Sequence, residues 1–152
     1  MRQDEPSSAV SFFVDYLIAQ NVRPPLRVLD IGCGMGRNAI FLAEKGFEVY
    51  AVDYVDAALQ FCKQAAQEKN LFDKIHLTKA SIDKTWPFPH DLFDLAVDCF
   101  SSIDIETREG REVYRDELLR TLKSKGLALV AVVSAADELE AKMIMTSPGP
   151  EP

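Results

Sequence analysis

At 152 residues, 47% of them apolar and 27% charged, the chain has the size and make-up of one globular domain. A domain of that length buries about two-thirds of its unfolded surface. Its net charge of −7 argues against gripping a phosphate backbone, which takes a clustered Lys/Arg surface, so no nucleic acid is expected among its partners and small or neutral substrates are favoured.

Cys33, Cys62 and Cys99 show no C-x-x-C spacing, signal neither a disulfide framework nor a zinc site, and fit a reducing cytoplasm. No signal peptide is read and no stretch approaches the roughly 18 apolar residues of a membrane span, so no membrane partner is expected. From Ser7, the expected N-cap, Val10, Phe13, Leu17 and Val22 recur at helical spacing. They predict an amphipathic helix over 7–22, ended by Asn21 and the Pro24-Pro25 pair. Val28, Leu29 and Ile31 then read as the end of a buried strand. Gly32, Gly34 and Gly36 form a turn free of side chains, and a helix runs from Asn38 to Lys45 with Gly46 ending it.

Strand, glycine-rich turn and helix together aim backbone N–H groups and the helix's partial positive charge at a ligand, so an anionic ligand group is expected there. Asp30 stands in the strand end, where an unpartnered carboxylate is costly. It either contacts a cationic group of the ligand, the preferred reading, or caps the turn's own amides. A dinucleotide fingerprint requires G-x-G-x-x-G, and Arg37 occupies the third glycine's place. Phe47 to Asp53 predicts a second parallel strand reached by a right-handed crossover. Asp53, about 20 residues after the first glycine, is placed to accept from both hydroxyls of a ribose, with a helix N-cap as the alternative.

The D-x-G-x-G-x-G of Asp30 to Gly36, the A-V-D ending at Asp53 and the downstream L-L-R-T-L-K-S-K-G together resemble the class I S-adenosylmethionine-dependent methyltransferases. More narrowly, G-C-G-M-G-R-N-A-I-F-L-A-E-K-G-F-E-V-Y-A-V-D is similar to the tellurite-resistance-type and related small-molecule methyltransferases. The resemblance covers about residues 26–134 and is most specific up to Asp53. It implies one Rossmann-like α/β domain over 1–152, an open and mostly parallel sheet in the order 3-2-1-4-5 with helices on both faces. S-adenosylmethionine is the implied cofactor and a small molecule the implied methyl acceptor. By the same resemblance the loop from Gly32 to Gly36, with Asn38, holds the methionine end, Asp53 the ribose, and Tyr54 flanks the adenine. The first helix is expected to pack against the sheet; the resemblance implies that it also covers the donor pocket or contacts substrate, with Phe12, Phe13 and Tyr16 the residues to watch.

Further along, Asp56 is the expected N-cap of a helix reaching about Lys69, with Cys62 on its core face, and Ile75 to Lys79 is a third strand. Ser81 stands where the resemblance expects an acidic residue for the adenine amine, so the backbone of Ser81 and Ile82, with Asp83 beyond, is expected to border the adenine. Trp86-Pro87-Phe88-Pro89 followed by Phe93-Asp94 resembles the family's approach to strand four, its aromatic residues serving as packing. Leu95 to Val97 is that strand, and Asp98 at its carboxyl end faces the crevice where strand order reverses. The resemblance implies that the backbone or side chain of Asp98 meets the methionine amino group, with a cap for the following turn as the alternative.

A polar loop from Ser101 to Glu106, a helix from Thr107 to Lys123, a turn at Lys125-Gly126 and an apolar fifth strand from Leu127 to Val133 complete the pattern. Ala135 to Met145 reads as a short helix and 147–152 as a loop. The two further strands of the family are missing, so the fifth-strand edge is expected to be covered by a missing C-terminal segment, a second copy or the 135–145 helix. His76 and His90 have no metal spacing, and no metal is expected. No catalytic residue is assigned, Asp98, Asp104 and His90 being conceivable bases. Two rivals stand beside methyl transfer: a cofactor-binding regulatory protein, and a nicotinamide-dependent oxidoreductase disfavoured by Arg37 and the lack of a Tyr-x-x-x-Lys pair.

Overall fold

The computed structural model describes residues 4–134; the helix expected over 135–145 and the loop over 147–152 lie outside the described residues. Its elements in chain order are α1 (Ser8–Ala19), β1 (Arg27–Ile31), α2 (Arg37–Glu44), β2 (Glu48–Asp53), α3 (Asp56–Glu68), β3 (Ile75–Lys79), β4 (Phe93–Cys99), α4 (Arg108–Thr121) and β5 (Leu122–Ala131). The five strands pair in parallel in the order β3-β2-β1-β4-β5. The sheet therefore reverses its winding between β1 and β4, which opens a crevice at their carboxyl ends.

Alternation along the strands divides the core between two faces. Val28, Val49, Ala51, Leu95 and Val97 point to one face, where Val10, Phe13 and Leu17 of α1, Ala39 and Leu42 of α2, and Leu59 and Cys62 of α3 cover them. Leu29, Ile31, Val52, Phe93 and Ala96 point to the other, covered by Tyr114 of α4 and by Trp86. Ser7 caps α1 as expected, its hydroxyl accepting from Ala9 N at 3.3 Å. Its own N–H donates to Asn38 Oδ1 at 2.8 Å, tying α1 to the start of α2.

On the second face Glu117 accepts from Trp86 N at 2.7 Å, while Arg120 donates to Phe88 O at 2.7 Å. This pair fastens the Trp-Pro-Phe-Pro segment to α4. The Trp86 indole then donates to Ile82 O at 3.1 Å, fixing the loop that follows β3.

Three local expectations are corrected. Val55, not Asp56, is the N-cap of α3; Asp56 opens the helix and its carboxylate pairs with Lys79 at 2.6 Å. The fourth helix, expected to reach Lys123, stops at Thr121, and the Lys125-Gly126 pair read as a turn belongs to β5. A register shift there takes the pairing from Phe93 with Leu122 to Leu95 with Leu127, absorbing the extra residues as an irregularity. The fifth strand, expected to run to Val133, ends at Ala131, and Leu127 and Val130 are exposed on the sheet edge. Among the described residues no helix is long and apolar enough to cross a membrane.

Candidate functional site

The strand ends open into a cavity of about 490 Å³ whose walls come from the loops after β1, β2, β3 and β4 in turn. Gly32 and Gly34 supply the first wall and Asp53, Tyr54 and Val55 the second. Ala80 to Asp83 supply the third, and Phe100, Ser101, Asp104 and Ile105 the fourth. Of the residues singled out in the sequence, Gly32, Gly34, Asp53, Tyr54, Ser81, Ile82, Asp83 and Asp104 thus meet in one cavity. Asp30, Gly36, Asn38 and Asp98 stand outside its lining.

Asp53 ends β2 with its carboxylate turned across to the glycine-rich loop. One oxygen accepts from Gly34 N at 2.9 Å and the other from Val55 N at 2.9 Å. It therefore closes the loop and holds the start of α3, which is the cap alternative of the sequence reading. Each oxygen keeps a lone pair for a ligand hydroxyl. At Gly34 the backbone is left-handed, φ +54°, and an added Cβ would meet no protein atom within 4 Å. The space over it belongs to the cavity.

Gly32 is glycine for a different reason, since a Cβ there would strike the Ser101 hydroxyl. That hydroxyl donates to Ile31 O at 3.0 Å and braces the loop after β4 against the loop after β1. Ser101 carried no sequence signal beyond its place in a polar loop at the end of a central strand. Phe100, its neighbour in the wall, was equally silent, while Asp104 is among the conceivable bases of the sequence reading.

Asp98 is fully buried and already engaged. It accepts from Ser101 N at 2.8 Å, Ser102 N at 3.2 Å and the Tyr114 hydroxyl at 2.7 Å. The turn-capping reading describes this geometry. Burial, and then the bond to Asp98, push the Tyr114 hydroxyl's pKa upward, so it remains a donor. The Asn38 side-chain oxygen accepts from Ser7 N, as described above.

Asp30 is the exception to this satisfied network. It is buried on the α1–α3 face beneath the loop, 2% exposed, and its Oδ2 has no partner among the described residues. Burial first, then the neighbouring carboxylates of Asp98 and Asp53, raise its pKa to about 7, against the pull of the Ala39 amide and Arg37. The folded state therefore holds Asp30's proton more tightly than the unfolded chain does. Stability from the neutral form is complete below the ordinary carboxylate pKa and is lost as pH rises through about 7. Asp30→Asn should gain roughly 2–3 kcal/mol over the native chain between pH 5 and pH 8. Denaturant unfolding at the two pH values measures it; a pH-independent difference would contradict the assignment.

A buried carboxyl with one unpartnered oxygen, set beneath an open glycine loop, suits a ligand that places a positive charge above Asp30 and lies over Gly34. The charged residues lining the cavity, Asp53, Asp83 and Asp104, are all acids. The adenosyl sulfonium of S-adenosylmethionine fits both features.

Comparison with known proteins points the same way. A family described as "Methyltransferase domain" matches residues 28–126. A ubiquinone biosynthesis O-methyltransferase of Rickettsia bellii is 28% identical over 109 residues, covering 72% of this chain and 42% of that protein. Among solved structures, the YcgJ protein of Bacillus subtilis superposes with a TM-score of 0.73 at 22% identity, over 90% of this chain and 55% of that one. A TehB-like S-adenosylmethionine-dependent methyltransferase of Corynebacterium glutamicum gives 0.63 at 22% identity, over 79% and 59%. The chain thus spans about half the length of these relatives. Sheet order, glycine loop and family match agree, and the chain belongs to the class I S-adenosylmethionine-dependent methyltransferase domains.

Proposed function

We propose that this domain binds S-adenosylmethionine across the ends of β3, β2, β1 and β4 and transfers its methyl group to a small-molecule acceptor by in-line displacement. The observation that carries the reading is a cavity crossing four strand ends, walled by acids and floored by a bare Gly34. A nicotinamide dinucleotide would place a diphosphate against Asp53, Asp83 and Asp104 with no Lys, Arg or His among the lining residues to meet it.

When bound, the cofactor supplies an already electrophilic methyl group on a sulfonium. The chain's part is then to hold, orient and exclude water. In this reading Gly32 and Gly34 let the backbone approach the methionine end, whose carboxylate meets the N-terminus of α2. Asp30 lies below as the counter-charge to the cation. Asp53 takes the ribose hydroxyls, Tyr54 flanks the adenine, and the backbone of Ser81 and Ile82, held by Trp86, borders its edge with Asp83. Asp98 acts through the turn it caps, setting the position of Ser101 and the loop after β4.

Calorimetric titration with S-adenosylmethionine, S-adenosylhomocysteine and NAD tests the reading. Both adenosyl compounds should bind one per chain and NAD should not; tighter binding of NAD would overturn it. Gly34→Ala gives a local check. The new methyl touches no protein atom, so the fold should lose only the left-handed backbone cost, about 1–2 kcal/mol. Binding of S-adenosylhomocysteine should lose more, roughly 2–3 kcal/mol, from the obstructed approach. Undiminished binding would remove Gly34 from the contact surface.

A further inference from the structure

Among the cavity-wall residues that have no part in the donor-binding scheme above, Phe100 differs from the rest by its backbone. Phe100 lines the cavity between β4 and Ser101, is 41% exposed, and has a φ of 67°. The other non-glycine residues with positive φ among the described ones are Asn21, Asn70 and Asp91. Those types tolerate the left-handed region through local hydrogen bonds; a bulky aromatic does not. Such strain persists only where the surroundings enforce it.

Here they do. Phe100 N donates to Ala131 O at 3.0 Å, Ser101 N donates to Asp98 at 2.8 Å, and the Ser101 hydroxyl is fixed on Ile31 O. Core packing does not explain the result, because the ring ends half in solvent at a cavity rather than inside either hydrophobic cluster.

Its place along the cavity is set by strand order. The loops after β3 and β2 form one side of the cavity, and the loop after β4, through Ser101 against Gly32, forms the opposite side. Resting on the donor-binding reading, the sulfonium then lies over Gly32 and beside Phe100. An aromatic face attracts a cation held within about 6 Å of the ring centre. The product of methyl transfer is a neutral thioether and has no such attraction.

We propose that Phe100, held on a strained backbone in the cavity wall next to the Ser101–Gly32 contact, is a specificity-determining residue that favours the sulfonium donor over its neutral thioether product. The acids of the site favour the cation as well, so Phe100 sets part of the preference and not the whole. A ring that served only as an apolar wall would hold the two compounds alike.

The experiment compares the dissociation constants of S-adenosylmethionine and S-adenosylhomocysteine by calorimetry in the native chain, F100L and F100Y. F100L should weaken the sulfonium compound roughly three- to tenfold and change the thioether less than twofold, while F100Y keeps the native ratio. If F100L does not fold, Phe100→Gly, which suits the left-handed backbone, reads the same ratio. Parallel losses for both compounds, or no change in either, would overturn the proposal while leaving donor binding intact. A native chain that binds neither compound would remove the donor reading and this proposal with it.

Discussion

Replacing Asp53 by alanine is expected to weaken S-adenosylhomocysteine binding by roughly 2–4 kcal/mol, the largest loss of any single substitution in the cavity. Two effects combine. The carboxylate is the proposed acceptor for the ribose hydroxyls, and hydrogen bonds to a charged acceptor are among the stronger ones. It is also the clamp that accepts from Gly34 N and Val55 N at 2.9 Å each. Without it the loop over which the ligand lies and the start of α3 each lose a partner, and the cavity floor loses its fixed shape. Asp53→Asn keeps one acceptor oxygen and should fall between the native chain and the alanine variant. Calorimetry with the product measures both; an alanine variant of native affinity would take Asp53 out of the site.

The largest loss of stability is expected from Asp98→Ala, about 3–5 kcal/mol by denaturant unfolding. The removed carboxylate leaves the Tyr114 hydroxyl and the amides of Ser101 and Ser102 without their acceptor in a buried place. Water cannot easily replace it, because Asp98 is wholly buried. Tyr114→Phe on its own removes only one donor and should cost much less, about 1 kcal/mol. If Asp98→Ala unfolds like the native chain, the network around the β4 turn is not what holds the fourth wall. Its effect on binding should follow through Ser101 and Phe100, since the side chain itself does not reach the cavity.

Much of this architecture was written locally. Apolar runs such as Val28-Leu29 and Val49 to Val52 announce buried parallel strands, and Ile75 to Lys79 falls where its composition places it. The glycines at 32, 34 and 36 announce a turn into a helix, and Asp53 lies at the spacing a ribose acceptor requires. What stayed hidden depends on contacts between distant segments.

Asn38 follows the glycine loop and so resembled a ligand residue, yet its side chain meets Ser7, 31 residues earlier. Asp98 is placed by topology at the crevice, but Tyr114, 16 residues on, decides where its oxygens point. Ser101 braces Ile31 from 70 residues away, which no local pattern encodes. The start of β5 was misread because Lys-Ser-Lys-Gly has turn composition, whereas the pairing of Leu122 with Phe93 draws it into the sheet. Asp56 has the composition of an N-cap, but Lys79 across the strand end claims its carboxylate.

The most direct test is a crystal structure of the chain grown with S-adenosylhomocysteine. The ribose hydroxyl oxygens should lie about 2.6–3.2 Å from the Asp53 carboxylate, with the thioether sulfur above Gly32 beside Phe100. A ligand bound elsewhere, or a ribose out of hydrogen-bonding reach of Asp53, would contradict the cradle formed by the glycine loop and the end of β2.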